Sequence, residues 1–156
     1  MAEKSKDMAG VIAPPPLIFC VAILLGYGVS RLFPRSDWLV WLPPALGILV
    51  VGLGLAGLAW GLVTLKRART AVNPYESTTA LVQHGPYRYT RNPLYVALTT
   101  LHIGIGLWLH NIWILLAVVP AVLIVHYGVV LREERYLMRK FGEDYHAYCA
   151  QVRRWL

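Results

Sequence analysis

The chain has 156 residues, 57% of them hydrophobic and only 15% charged, with a formal net charge of +7 and a mean hydropathy of +0.51. That balance excludes an ordinary soluble domain, in which about a quarter of the residues are charged, and it points to a membrane protein. The positive charge needs no nucleic acid to explain it, because basic residues beside a bilayer attract anionic headgroups.

Four apolar runs carry almost no charge, at residues 13–33, 38–65, 94–109 and 111–131. A helix needs about 20 residues to cross the hydrocarbon core, and lipid cannot satisfy an open backbone, so the expected fold is an all-α membrane bundle. Lys4 and Lys6 ahead of the first run resemble the start of a secretory signal, but no small-residue cleavage site follows and the run closes on Arg31. We therefore expect a retained helix, opening at Pro14, Pro15 and Pro16, where missing amide donors cost little. The second run has 28 residues without a charge, about 42 Å as helix, so it must tilt or project. It holds Gly47, Gly52, Gly54, Gly57 and Gly61, and the four-residue spacing of Gly57 and Gly61 suggests close helix packing.

The third run is short, 16 residues or about 24 Å. His110 and Asn111 are the break before the fourth run, with Asn111 suited to cap that helix, so the last two spans form an antiparallel hairpin. Beyond residue 131, Leu137, Phe141, Tyr145, Tyr148 and Val152 recur every three or four positions. That period predicts an amphipathic C-terminal helix, bent at Gly142.

With four spans, both ends of the sequence and the 66–92 segment share one side. That side carries 13 of the 15 basic residues, leaving Arg31 and Arg35 opposite, and the positive-inside rule makes it cytoplasmic. Cys20 lies in the first run and Cys149 near the cytoplasmic end. Neither arrangement suggests a structural disulfide.

Chemistry concentrates in "HGPYRYTRNPLY" at 84–95. Asn92 and Pro93 read as the cap and first residue of the third span, which would also turn amide donors and a positive dipole end toward the cytoplasm, an anion site. Arg88 and Arg91 add charge there. Glu133 and Glu134 follow the fourth span on the same side; they either pair with Arg132, Arg135 or Arg139 on a solvated face or supply acceptors to a site. With Tyr87, Tyr89 and Tyr95 for a flat ring, the two segments suit a nucleotide-like zwitterion. His102 and His126 lie within spans, where ionisable residues are functional candidates, although a hydrogen-bonded histidine packing two helices is the plainer account of His102. No pair of histidines has metal-ligand spacing.

Taken in order, "LVQHGPYRYTRNPLY", a glycine-bearing span and "EERYLMRKFGEDYHAY" resemble the integral-membrane methyltransferases of the isoprenylcysteine carboxyl methyltransferase and phospholipid N-methyltransferase group. Their pattern runs Gly-x-Tyr, Arg-His/Asn-Pro-x-Tyr, Glu-Glu, then Phe-Gly-x-x-Tyr-x-x-Tyr, and the likeness covers about residues 79–149 of what we read as a single domain, 1–156. The resemblance implies S-adenosylmethionine as methyl donor. It implies donor contacts from Thr79, Ala80, Leu81 and Val82, from Gly85 and Tyr87, from Asn92, Pro93, Leu94 and Tyr95, and from Glu133. At the acceptor, Arg91 is the candidate for charge and His126 or Glu134 for a base. The chain departs from the carboxyl methyltransferases in having Asn92 for His and Val129 for a substrate-contacting arginine, which Arg132 would have to replace. The expected acceptor is a lipidic or amphiphilic small molecule met in the membrane. A membrane reductase of the sterol type using NADPH and a non-enzymatic lipid-binding subunit are the alternatives, and the oligomeric state is open.

Overall fold

The computed structural model describes residues 10–33, 37–70 and 78–156; Lys4, Lys6 and Arg35 lie outside the described residues. Six α-helices follow in order: α1 (Pro15–Leu32), α2 (Pro44–Arg67), α3 (Pro93–Trp108), α4 (Ile112–Val125), α5 (Leu131–Phe141) and α6 (Glu143–Gln151). No strand occurs among the described residues, so this is an all-α membrane protein. Three helices are long and apolar enough to cross a bilayer, α1, α2 and the continuous 30-residue helix Ile112–Phe141, while α3 is a shorter apolar helix.

Proline sets three of the helix starts, standing at the beginning of α1, α2 and α3, where its absent N–H would be unpaired anyway. The second run is not helical from residue 38. Asp37–Trp41 form a separate 3-10 turn, because consecutive Pro43 and Pro44 cannot sit inside a helix without breaking its ladder. Helix α2 then runs past residue 65 to Arg67. Asn111 caps α4 as expected, its Oδ1 accepting from the amides of Trp113 and Ile114 at 3.0 and 3.2 Å. His110 takes a left-handed conformation in that turn (φ 47°) and its Nε2 donates to Leu42 O at 2.9 Å, tying the α3–α4 hairpin to the start of α2.

The α2–α3 seam is built on glycine. A Cβ on Gly47 would collide with Trp108, on Gly54 with the Leu101 backbone at 2.8 Å and on Gly61 with Leu94 at 2.5 Å; from the other side, Gly104 lies against Val51 N at 2.6 Å. The tightest contacts of the seam follow a seven-residue spacing, 47, 54 and 61, and the expected Gly57–Gly61 pair also faces α3. Gly57 meets only Ala97 Cβ, at 3.2 Å. Between α1, α3 and α4 lies the apolar core of Phe19, Ala22, Leu98, Ala121, Val125, Val129 and Val130, and outward faces carry exposed leucines such as Leu24, Leu25, Leu49 and Leu53, as lipid contact requires.

Between α4 and α5 the helix passes through one π-helical stretch, His126–Val130. The extra residue rotates everything beyond it, and it sits where the start of the described chain crosses: Ile12 N donates to Gly128 O at 3.3 Å, and Arg132 Nη1 to Gly10 O at 2.8 Å. At Gly142 (φ 52°, ψ −122°) α5 stops and α6 begins, so the expected bent helix is two helices joined at a residue whose positive φ favours glycine.

Candidate functional site

At the end of the bundle where α2 stops and α3 starts, one cavity is enclosed by the 78–92 loop, the α3 N-terminus, α5 and α6. Its walls are Leu65, Thr70, Thr78, Ala80, Leu81, Val82, Tyr87, Arg91, Asn92, Pro93, Leu94, Tyr95, Glu133, Glu134, Leu137, Tyr145 and Tyr148.

The loop is laid against its floor by local hydrogen bonds. Thr78 N donates to Tyr136 Oη at 3.0 Å, and the amides of Thr79 and Ala80 both donate to Thr70 Oγ1 at 3.1 and 3.3 Å. Thr79 Oγ1 donates outward to Arg69 O at 2.9 Å, so Thr79 serves the loop and is not a wall residue. Gly85 is also outside the wall. It holds a positive φ of 61°, and a Cβ there would meet Thr64 Oγ1 at 2.8 Å; its part is to let the loop pass α2. The 3-10 turn Gly85–Arg88 then turns Tyr87 inward and Tyr89 outward. Tyr89 is not in the cavity: its ring lies by Trp60, centroids 6.3 Å apart, with the Arg88 guanidinium 5.2 Å above it.

The α3 start is held differently from the expected cap. Asn92 occupies the cap position without a side-chain bond to the helix; its Nδ2 donates to Arg154 O at 2.9 Å. The amides of Tyr95 and Val96 both donate to Asn92 O at 3.1 Å, so the first turn is already partly satisfied.

The paired glutamates do different things because neighbours on a helix point about 100° apart. Glu133 faces α3, where the Tyr95 hydroxyl donates across both carboxylate oxygens at 2.8 and 2.9 Å. Glu134 faces the loop. It pairs with Arg91 Nη1 at 3.2 Å and accepts from Arg154 Nε and Nη2 at 2.9 and 2.8 Å; its expected partners Arg132, Arg135 and Arg139 are not the ones it takes. Among the described residues no ion pair holds Glu133. Arg91 Nη1 also donates to Cys149 Sγ at 2.6 Å, and its Nε is buried without an acceptor among the described residues.

Opposite, Tyr148 donates its hydroxyl to Tyr87 O at 2.6 Å, and Tyr145 is 2% exposed. Burial first, then nearby negative groups, pushes the phenols of Tyr87 and Tyr145 well up, and burial does the same for Tyr148, so all three are neutral hydroxyls at working pH. Tyr145 and Tyr148, which the sequence sets on the apolar stripe and in the Phe-Gly-x-x-Tyr-x-x-Tyr pattern without a role at the site, both line the wall.

At the reacting end two expectations change and that for His102 holds. His126 does not line the cavity; it lies in the π-helical stretch with its ring beside those of Tyr127 and Trp155, centroids 4.8 and 6.0 Å away. Arg132 is engaged by Gly10 O and also lies off the wall, and Val129, at the position it would have to replace, is 0% exposed in the core. His102, fully buried, donates from Nε2 to Ile114 O at 2.8 Å and meets Phe19 edge-on at 5.9 Å: it packs α3 on α4 and α1.

A helical bundle of apolar spans, with a cavity at one end walled by aromatic, aliphatic and ionisable side chains, defines an all-α integral-membrane protein. Residues 42–144, well over half the chain, match the family described as phospholipid methyltransferase; the chain belongs to this family and is in general terms a membrane methyltransferase. A stretch of 63 residues is 38% identical to an uncharacterized protein of Haemophilus influenzae, covering 40% of this chain and all of that protein. No solved structure matches the chain.

Proposed function

We propose that the cavity binds S-adenosylmethionine and that the protein transfers its methyl group to a lipidic or amphiphilic acceptor. The observation that carries this reading is the convergence of Tyr87, the α3 start and Glu133 on one cavity, with Glu133 unpaired by any basic residue among those described. Such a wall suits a zwitterionic nucleoside: a carboxylate for its ammonium end or hydroxyls, Arg91 for its carboxylate, and Tyr87, Tyr145 and Tyr148 around an aromatic ring.

The donor would supply an activated methyl on a sulfonium, and displacement at that carbon requires alignment above all. Asn92, Pro93 and Tyr95 set the position of the donor on the rigid start of α3. Tyr95, by donating to Glu133, fixes that carboxylate in one rotamer. Glu134 is taken by two arginines and serves to hold the wall, so it is not free to act as a base; an acceptor arriving with an ionised or lone-pair nucleophile needs none from it. We place this end of the bundle on the cytoplasmic side, where the donor enters from water and the acceptor from the bilayer.

Calorimetric titration of S-adenosylmethionine and its demethylated product into the detergent-purified protein tests the reading. Saturable binding, reduced at least about tenfold in Glu133→Ala, is expected, with none for NADPH. NADPH binding without methyl-donor binding would replace the proposal by a reductase, and binding of neither by a lipid-binding role.

A further inference from the structure

Beyond α6 the chain turns extended at Val152 (φ −122°, ψ 132°) and residues 152–156 run back across the loop that leads into α3. None of them lines the cavity, yet three wall residues end on them. The carbonyl of Arg153 accepts from Arg91 N at 2.9 Å. The carbonyl of Arg154 accepts from Asn92 Nδ2 at 2.9 Å and from Thr90 Oγ1 at 3.1 Å. The Arg154 guanidinium closes as a fork on both oxygens of Glu134, the strong two-pronged geometry that lysine cannot reproduce.

We propose that residues 152–156 are a strap that sets the shape of the methyl-donor site from behind, with Arg154 as its positioning residue; this rests on the reading of the cavity as the donor site. Two consequences follow from the geometry. A carbonyl only accepts, so Arg154 O commits the NH2 end of the Asn92 amide to the strap and leaves Oδ1 as that side chain's acceptor. The fork on Glu134 also fixes the rotation of α5 about its axis, and with it the direction in which the next-door Glu133 meets Tyr95. Without the strap, Glu134 keeps only Arg91, which is itself shared with Cys149, and the wall loses both anchors at once.

The test is titration of S-adenosylmethionine into the full chain, its Arg154→Ala and Arg154→Lys variants and a chain lacking 152–156, with Arg139→Ala, exposed on α5 and off the wall, as control. Arg154→Ala is expected to bind about tenfold more weakly, Arg154→Lys to fall between, the deletion to be weakest and the control to match wild type. The melting temperature of the ligand-free protein should be nearly the same in wild type and both point variants. Where the deletion fails to fold, the point variants decide. Affinity of Arg154→Ala within about twofold of wild type overturns the strap while leaving the donor site standing. Affinity lost only in step with ligand-free melting temperature also overturns it, as a purely structural contact, and absence of binding in wild type overturns strap and donor site together.

Discussion

Adjacent glutamates with opposite duties are the centre of the account. Glu134 is half-buried and neutralised on two sides by Arg91 and Arg154, which is what a carboxylate needs in order to be removed from water at tolerable cost. Glu133 has a phenol instead of a cation, and no basic residue among those described pairs with it. Tyr95→Phe deletes that hydroxyl while keeping the ring. We expect it to weaken S-adenosylmethionine binding by roughly three- to tenfold, about the worth of one hydrogen bond to a charged group, with the ligand-free melting temperature little changed; calorimetry beside a thermal melt reads both. Unaltered affinity would show that Glu133 is positioned without Tyr95. Counting the ends of the spans brings the glutamates, Arg91 and the start of α3 to one side, whereas Ala80, Leu81, Val82 and Tyr87 were expected at the site only through the family resemblance. Which arginine answers which glutamate was not legible: Arg132, Arg135 and Arg139 are close in sequence, whereas Arg91 and Arg154 arrive through tertiary folding.

At the scale of elements, the α2–α3 seam decides whether the cavity exists, since Leu65 at the end of α2 and Pro93, Leu94 and Tyr95 at the start of α3 are all in its wall. Small residues let two helices approach closely where apolar lipid gives no hydrophobic drive for association. Gly54→Ala puts a methyl group 2.8 Å from the Leu101 backbone, which cannot yield as a flexible side chain would, and should destabilise the protein by about 1–3 kcal/mol. Gly52→Ala, with nothing within 4 Å of the new carbon, should be neutral or stabilising through helix propensity, by at most about 1 kcal/mol. Thermal unfolding in detergent separates the two, and equal melting temperatures would refute the seam. The limits of α1 and α3 were readable within a residue or two, because apolar runs and prolines mark them, whereas α2 starts six residues later than its apolar run and the last span continues ten residues beyond its own. Which glycines pack tightest was not legible. A four-residue and a seven-residue glycine spacing both keep residues on roughly one side of a helix, and only the partner's shape selects 47, 54 and 61. The π-helical stretch was equally hidden, since no residue in His126–Val130 dictates one extra residue per turn.

On the scale of the whole molecule, the apolar spans do little chemistry and the polar groups gather at one end. Ile12 meets the π-helical stretch and Gly10 meets Arg132 of α5, while the 78–92 loop, the start of α3 and the end of the chain, tied to it by Arg154 O, come together around the cavity. The opposite end carries mainly anchoring contacts, such as Phe33 against Trp113 and His110 against Leu42. Membership of the phospholipid methyltransferase family makes the protein in general terms a membrane methyltransferase, and the central proposal is that its acceptor resides in the bilayer. Membranes holding the wild-type protein or Glu133→Ala, incubated with S-adenosylmethionine labelled in its methyl group and then extracted with organic solvent, test it most directly. Label in the lipid extract is expected with wild type, and at least about tenfold less with the variant. Label confined to the aqueous phase, from protein that is folded and binds the donor, would contradict it.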